Sequence, residues 1–302
     1  MPTTSPTVAP PTEASPVAPA AARLQIGRST IHLPSPRSRA LALVFGSTIL
    51  VCGGLVGGGS TTGSIARIDV ASGHVSGIGA MSAPVHDAGG AILGSFGYIF
   101  GGGRFGPGSV VQRIGASGRG VALGRLPAIR ADLAAVSVAG ELVVVGGGTP
   151  GRPDLRVLAT TDGRSFRVVA HLLVGVRYPA VAVVGSLIYV VGGSTVSGDS
   201  RVVQVVDPRA GTVRILGRLG HGLSHASALV VGGELLIAGG RTSGRAQSAV
   251  WRVDPGTGGV TLAGRLPYAV SDMATAVVAG TGYLIGGEGS AFDSSIITVS
   301  VR

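Results

Sequence analysis

Short apolar runs alternate with glycine-rich turns along the chain from about residue 23 to its end. Runs such as Leu133–Val138 and Ala226–Val231 have the length of strands, roughly four to eight residues, and turn residues flank them. One apolar run in each unit ends at a Gly-Gly doublet. These doublets are 45 to 48 residues apart and begin at Gly53, Gly101, Gly146, Gly192, Gly239 and Gly286. A period of this length predicts a repeat protein made of six similar units.

A second marker keeps the same register. An apolar residue, which usually opens a Leu-Pro-like corner, lies 20 residues before each doublet, at Leu33, Met81, Leu126, Leu172, Leu219 and Leu266. Each unit is predicted to contain four strands. In the fourth unit, for example, the third strand is predicted over Val202–Val206 and the fourth over Thr212–Leu216, with a turn at Asp207-Pro208. The sequence therefore predicts an all-β fold.

The doublet, the corner 20 residues upstream and the period near 47 resemble kelch repeats. The resemblance implies a six-bladed kelch-type β-propeller over residues 23–302, with four antiparallel strands in each blade and blade cores beginning near 37, 85, 130, 176, 223 and 270. One departure is the missing Trp that usually opens the fourth strand, since Trp251 falls in a third strand.

The last unit is expected to be completed by the other end of the chain. It ends at Arg302, after a predicted third strand over Ile296–Val301, and so lacks a fourth strand. The segment Arg23–Arg28 resembles the fourth strands of other units. We therefore expect an N-terminal strand to close the last blade.

The composition raises the question of a membrane span, since the mean hydropathy is +0.50. The most apolar stretch, Ala40–Gly59, has the length of a membrane helix. It breaks at Gly46-Ser47, however, and its pattern recurs in five other units. The sequence therefore predicts two buried strands here and no transmembrane span.

Residues 1–22 form a separate low-complexity segment that is rich in Pro, Thr and Ala. It is predicted to be a disordered tail or linker. Linkers of this kind often follow an export signal or anchor, so one hypothesis is an extracytoplasmic or cell-surface protein whose signal or anchor lies upstream. The alternative is a disordered tail on a cytoplasmic protein.

The net charge of +10 comes from 24 basic residues, and all of them are Arg. Arginine without lysine is typical of a GC-rich bacterial genome, so the charge argues only weakly for a nucleic-acid partner. Aromatic residues make up 4% of the chain, which leaves few platforms for stacking bases. Nucleic acid is therefore not favoured as a partner.

The variable loops between strands 2 and 3, together with the loops between blades, are expected to carry the function on one face. The kelch resemblance implies that ligands lie over the propeller axis on this face. Two positions per blade would then meet the ligand, one five residues after the corner and one directly after the doublet. They are Ser38, His86, Ala131, Arg177, Ser224 and Ser271, and Leu55, Gly103, Gly148, Ser194, Arg241 and Glu288. Their neighbours are Arg37, Arg39, Arg104, Arg130, Asp87, Asp132, Tyr178, His225 and Asp272.

From this set we predict ligand-binding roles for Ser38, His86, Arg104, Arg130, Arg177, Ser194, Ser224, Arg241, Ser271 and Glu288. More than half of the arginines fall on this face, and Arg pairs bidentately with carboxylate or phosphate. The sequence thus favours a non-catalytic propeller that binds an anionic protein, peptide or glycan. The alternative is an enzyme resembling sugar-acid mutarotases, with Glu288, His86 and Asp272 as acid–base candidates and Arg177 as a clamp. A structural surface module is a third hypothesis.

No cofactor or metal site is predicted. Cys52 directly precedes a doublet and is expected to be a buried small apolar residue. The six histidines have no metal-binding spacing, and the glycine-rich loops lack the lysine and helix of a phosphate-binding loop. We expect a monomer.

Overall fold

The computed structural model describes residues 23–104, 106 and 108–302, so the predicted tail over residues 1–22 lies outside it. Six sheets, each of four antiparallel strands, form a β-propeller. Within the described part of the chain, no helix is long and apolar enough to cross a membrane. The predicted fold class is confirmed.

Each sheet is ordered from the axis outwards. The strands are Leu41–Phe45, Thr48–Cys52, Ser64–Asp69 and Val75–Ala80 in blade 1; Gly89–Leu93, Phe96–Phe100, Val110–Gly115 and Gly120–Arg125 in blade 2; Ala131–Val138, Glu141–Thr149, Arg156–Thr160 and Arg167–His171 in blade 3; Ala180–Val184, Leu187–Val191, Val202–Asp207 and Thr212–Arg218 in blade 4; Ser227–Val231, Glu234–Ala238, Ala249–Val253 and Val260–Arg265 in blade 5; and Ala274–Val278, Thr281–Ile285, Ser295–Val301 and Leu24–His32 in blade 6.

Several loops between strands 2 and 3 contain short additional elements. These are the strands Leu55–Val56 and Ser60–Thr61 with the 3-10 turn Gly57–Gly59 in blade 1, Arg152–Pro153 in blade 3, Ser194–Thr195 and Gly198–Asp199 in blade 4, and Arg241–Thr242 and Arg245–Ala246 in blade 5.

The N-terminal strand closes the last blade, as predicted. Leu24–His32 runs antiparallel to Ser295–Val301 and forms the outer edge of blade 6. At its start, Arg23 and Arg302 exchange backbone hydrogen bonds of 2.6 and 3.0 Å. The strand extends four residues beyond the predicted Arg28 because the pairing resumes at His32 after an irregularity.

The fourth strand of blade 4 is longer than the sequence predicts, because a β-bulge extends its pairing with the third strand. In blade 4, Val203 pairs with Gly217 and Gln204 pairs with Ile215, so Leu216 is the extra residue. The strand therefore continues to Arg218 instead of ending at Leu216. Blades 1, 2, 3 and 5 show the same register shift between their third and fourth strands.

The Gly-Gly doublets allow neighbouring blades to approach each other near the axis. A Cβ atom on Gly192, the first glycine of blade 4, would lie 2.1 Å from the carbonyl oxygen of Leu223 in blade 5. The N–H of the second glycine, Gly193, donates to that same carbonyl at 2.8 Å. Equivalent contacts occur at all six doublets. Glycine is required here because the space belongs to the next blade.

The hydrophobic core lies between consecutive sheets. In one cluster, Val143 and Val157 of blade 3 pack with Ile188 and Val190 of blade 4, and all four are fully buried. Cys52 belongs to the cluster between blades 1 and 2 and is 1% exposed, so its predicted burial in a strand is confirmed.

Candidate functional site

Six residues form a closed ring of backbone hydrogen bonds around the axis on the face of the variable loops. Each lies one position after the predicted corner position, and its N–H donates to the carbonyl of the equivalent residue in the preceding blade at 2.8 to 3.1 Å. Their φ angles lie between 52° and 60°, in the left-handed region that is uncommon for residues other than glycine. The ring residues are Arg39, Asp87, Asp132, Tyr178, His225 and Asp272.

We call the opening inside this ring the mouth. The six ring residues and the residue after each line a cavity of about 120 Å³. Beneath it, small residues of the six innermost strands line an axial channel of about 400 Å³, and both spaces share Ala40, Ala88 and Met273. The ring therefore presents six side chains, most of them charged, at the entrance of an otherwise small-residue channel.

The structure brings together the two predicted positions of every blade. In five blades they form an isolated antiparallel bridge, and in blade 3 they pair within the sheet. The pairs are Ser38 with Leu55, His86 with Gly103, Ala131 with Gly148, Arg177 with Ser194, Ser224 with Arg241, and Ser271 with Glu288. They surround the ring, so the predicted positions lie at the periphery of the mouth.

Arg39 reaches across the mouth from blade 1. Its Nη1 lies 3.2 Å from Asp87 Oδ2 in blade 2 and donates to Tyr178 Oη in blade 4 at 3.4 Å. Its Nε lies 3.8 Å from Asp272 Oδ1 and 3.6 Å from Glu288 Oε2, both in blade 6. This one guanidinium thus meets acceptors from three other blades.

Arg241 connects blades 5 and 6. Its Nε donates to Ser271 Oγ at 2.9 Å and to Asp272 Oδ2 at 3.3 Å, and its Nη2 lies 3.0 Å from Glu288 Oε1. His225 Nδ1 shares a 2.6 Å hydrogen bond with Asp272 Oδ1. Asp272 and Glu288 therefore converge on one arginine, with a histidine in hydrogen-bond reach of Asp272.

On the opposite side of the mouth, Arg177 of blade 4 forms an ion pair with Asp132 of blade 3. Its guanidinium also lies 5.3 Å from the centre of the Tyr178 ring. Tyr178 in turn stacks on His225, with ring centres 3.7 Å apart. These contacts hold the aromatic pair in the wall of the mouth.

The remaining predicted residues occupy different surroundings. His86 shares a 2.9 Å hydrogen bond with Thr61 and lies 3.8 Å from Asp87, on the blade 2 side, away from Asp272 and Glu288. Ser38 is 1% exposed and donates to Glu288 at 3.3 Å. Ser224 and Ser271 are also buried. His225, and not the predicted His86, is the histidine that contacts Asp272.

One predicted ligand contact is buried in the scaffold, and two others contact loop residues. Arg130 is 0% exposed and pairs with Asp154 at 2.5 Å, while it donates to the carbonyls of Gly146 and Arg156. This buried guanidinium holds the loop of blade 3 and does not face the mouth. Ser194 donates to Asp199 within the hairpin of blade 4. The Arg104 backbone carbonyl accepts from Thr61 on the exposed loop of blade 2.

The charges at the mouth nearly balance, which changes the expectation drawn from the arginine count. Among the described residues of the mouth and its periphery, Arg39, Arg177 and Arg241 face Asp87, Asp132, Asp272 and Glu288. Every one of the three arginines contacts a carboxylate. The arginine excess of the sequence therefore does not produce a positive mouth.

Burial raises the pKa values of two ring carboxyls, Asp87 and Asp272, and pairing with neighbouring groups lowers them. Burial raises the pKa of Asp87 to about 7, although Arg39 opposes the shift, and the charges of Asp132 and Asp272 add to it. Burial also raises the pKa of Asp272, but hydrogen bonds from His225 and Ser271 and the charge of Arg39 more than offset it. The pKa of Asp272 therefore lies below its usual range.

The raised pKa of Asp87 predicts a pH-dependent stability. Between about pH 4 and pH 7 the folded protein holds a proton on Asp87 that the unfolded chain releases. Asp87 therefore lowers the free energy of unfolding as the pH rises through this window, by at most about 1.4 kcal/mol per pH unit. We expect Asp87→Asn to gain stability relative to the wild type from pH 5 to pH 7, measured by urea unfolding.

Asp162→Asn is the control, because hydrogen bonds from Ser165 and Arg164 hold the pKa of the exposed Asp162 carboxyl below its usual range. It is ionised in both states above pH 5, so its stability difference should stay constant. A constant difference for Asp87→Asn as well would contradict the prediction.

A groove adjoins the mouth between the loops of blades 6 and 1. Its volume is about 480 Å³, and its walls include Pro36, Val56, Ala291 and Phe292. Glu288 lines this groove and also contacts Arg39 and Arg241 at the mouth. One carboxylate thus belongs to the groove and also contacts two arginines of the mouth.

The sequence identifies the ring residues Arg39, Tyr178 and His225 only as neighbours of the predicted positions. Their signal is positional, since all six ring residues lie six positions after the apolar residue of the corner. Their left-handed backbone and their contacts across the axis are not visible in the repeat. Within the described chain, no group of three or more His, Cys, Asp or Glu residues is arranged to hold a metal ion.

Comparison with known proteins agrees with this architecture. Residues 176–220 and 222–258 match the family model of the kelch motif. The structure resembles a solved chain titled "Structure of YjhT", with a TM-score of 0.79 and 14% sequence identity, over 91% of this chain and 100% of that one. A search of curated proteins gave no match. At this identity the structural likeness shows the fold alone. The chain is a six-bladed β-propeller, and two of its segments match the kelch motif.

Proposed function

We propose that the chain is a non-catalytic propeller that binds a glycan over the mouth. The observation that carries the proposal is the pairing of three arginines with four carboxylates at the mouth. Guanidinium groups only donate hydrogen bonds and carboxylates only accept them, whereas a sugar hydroxyl does both. The mouth therefore offers both donors and acceptors to the hydroxyl groups of a polyhydroxyl ligand.

A glycan suits this mouth better than a protein surface does. The centre of a protein–protein interface is usually depleted of charged residues and enriched in aromatic anchors. Here the ring is mostly charged, and one face of Tyr178 is already covered by His225. The ring favours polar recognition.

The dimensions favour a ligand longer than one sugar. The mouth cavity, about 120 Å³, is smaller than the roughly 300–1,000 Å³ that encloses a whole small-molecule ligand. The adjoining groove, about 480 Å³, falls within that range. A glycan would lie over the ring and continue past Glu288 into the groove.

Screening the full chain on a glycan array, followed by calorimetry on each hit, tests this function. Neutral and acidic sugars are compared, because the arginine count favoured an anionic ligand and the ion pairs remove that preference. Arg177→Ala combined with Arg241→Ala should weaken binding at least about 100-fold, since each loses charge-assisted hydrogen bonds. Arg209→Ala, in the turn between the third and fourth strands on the opposite face, should bind like the wild type. Unchanged affinity in the double variant would place the site elsewhere.

A sugar-acid mutarotase is the second candidate, and the convergence at Arg241 favours it. Glu288 lies 3.0 Å and Asp272 3.3 Å from this arginine, and His225 shares a 2.6 Å hydrogen bond with Asp272. Ring opening of a sugar needs an acid and a base close to the anomeric centre. NMR measurement of anomerisation with acidic sugars, with Glu288→Gln as the variant, decides between catalysis and binding.

An extracytoplasmic location is part of this proposal and rests on the Pro-rich residues 1–22 alone. A propeller exposed outside the cytoplasm would meet extracellular glycans. Cell fractionation with an antibody to the propeller tests the location.

A further inference from the structure

Arg39 differs from the other two arginines of the mouth in the way it is held. Within the described structure, Arg177 and Arg241 each form their ion pairs with a single neighbouring blade. Arg39 contacts acceptors of blades 2, 4 and 6 and so lies across the opening above the axial channel. Arg39 therefore lies in the path of a molecule that enters the mouth along the axis.

The contacts of Arg39 are long for charged hydrogen bonds. They range from 3.2 Å to Asp87 up to 3.8 Å to Asp272, whereas N⁺–H···O⁻ bonds are typically about 2.7–2.9 Å. The Nε atom is buried and has no hydrogen-bond partner. An unsatisfied buried donor is unfavourable. The surrounding acceptors therefore hold Arg39 in place but leave its Nε–H without a hydrogen bond. With 21% of the side chain exposed, Arg39 has a route to solvent.

We infer that Arg39 occupies, in the ligand-free protein, the place that hydroxyl groups of the ligand take, and that the ligand displaces it from Asp272 and Glu288. This inference rests on the proposed glycan-binding function and names a residue that sets its specificity. The displaced side chain reaches solvent and is free to donate to an oxygen atom of the bound sugar.

The exchange favours a polyol over a simple cation. A free cation that replaces the Arg39 guanidinium makes similar contacts with Asp272 and Glu288. It must, however, compete with that guanidinium, which the chain holds at a high effective concentration beside the two carboxylates. If the carboxylates interact equally well with Arg39 and with the free cation, the cation does not shift the equilibrium towards the displaced state. Two adjacent hydroxyls instead donate to Asp272 and Glu288 separately, and the released Arg39 gains an acceptor. The wild type should therefore select sugars with a pair of adjacent free hydroxyls.

The test removes the Arg39 side chain and supplies methylguanidinium, which carries the same cationic group, in solution. We expect Arg39→Ala to bind methylguanidinium with a Kd in the millimolar range, seen as a saturable rise of Tm and as an NMR titration at pH 7. The wild type, in which Arg39 fills the place, should show no such binding. Arg245→Ala, which truncates an exposed arginine in the hairpin of blade 5, is the matched control and should behave like the wild type.

A second variant keeps the inference testable if Arg39→Ala does not fold. Arg39→Ala combined with Asp87→Asn removes a buried carboxyl that Arg39 no longer pairs with and keeps Asp272 and Glu288. It should still bind methylguanidinium, more weakly. If neither variant binds methylguanidinium, or if Arg245→Ala responds equally, Arg39 is a structural bridge and the inference is wrong.

An experiment with glycans distinguishes glycan binding at the mouth from the displacement of Arg39 by the glycan. For any glycan that binds the wild type through adjacent hydroxyls, blocking one of them as a methyl ether should weaken binding about tenfold or more, whereas methylation elsewhere should not. Equal affinity of the blocked and free sugars would overturn the inference and leave glycan binding intact. If no glycan binds at all, the proposed function fails, and the methylguanidinium result still decides whether Arg39 fills an acceptor site.

Discussion

A chain without residues 1–30 is expected to aggregate or to unfold at least about 5 kcal/mol more easily than the full chain. The deletion removes most of the outer strand of blade 6, including Leu24 and Ile26, which pack against the core between blades 5 and 6. Leu24 and Ile26 are partly buried, so their loss costs less than the roughly 2–5 kcal/mol of a fully buried Leu or Ile, but the deletion also removes the backbone pairing with Ser295–Val301. The whole stability of a domain is about 5–15 kcal/mol. The unpaired edge of Ser295–Val301 would also attract other chains.

Thermal unfolding and size-exclusion chromatography measure this effect. A chain that lacks only residues 1–22 keeps the strand from Leu24 onward and serves as the control, with an expected Tm equal to that of the full chain. If the longer deletion leaves Tm and the elution volume unchanged, the N-terminal strand does not close the propeller in solution.

The second large effect is expected for Gly192→Ala, which should cost more than about 4 kcal/mol. Gly192 has a φ of +64°, and an added Cβ would lie 2.1 Å from the carbonyl oxygen of Leu223. Relief requires that blades 4 and 5 move apart, which weakens the hydrogen bond from Gly193 to Leu223. Losses of this size are rare for single substitutions and reflect a steric conflict that the surroundings cannot absorb.

Gly185→Ala is the matched control in the same blade. Its φ of +61° is almost identical, and a Cβ added there would have no other atom within 4 Å. Only the left-handed backbone is unfavourable at this position, at roughly 1–2 kcal/mol. Urea unfolding of the two variants separates backbone strain from blade contact. Equal destabilisation would mean that the doublet requires glycine for its φ angle alone and not for the approach of the next blade.

The fold was predictable because the same pattern of strands and turns recurs in six units of the sequence. The doublet at Gly192, for example, marks the end of a second strand, and Asp207 with Gly211 marks the turn after a third. The bulge at Leu216 was not predicted, since an extra residue in one strand leaves no pattern in that strand's own sequence. It is visible only in the pairing with Val203 and Gln204.

The candidate site was predictable in position and less so in chemistry. The positions of Arg177, Arg241 and Glu288 followed from register, and the structure places them around the mouth. Their partners did not follow, because Asp132 is 45 residues from Arg177 and Glu288 is 47 residues from Arg241. Arg130 shows the same difficulty. Its register matches the site, but its guanidinium is buried against Asp154.

The sequence by itself determined the number of blades, the strand order within each blade and the closure of the last blade by an N-terminal strand, because these depend on local patterns repeated at a fixed period. Only the tertiary structure decided the electrostatics of the mouth. Charges that are far apart in the chain meet around the axis, so Arg39, Arg177 and Arg241 at the mouth are matched by carboxylates from other blades. A net charge counted along a chain does not say which charges face each other once six sheets share one axis.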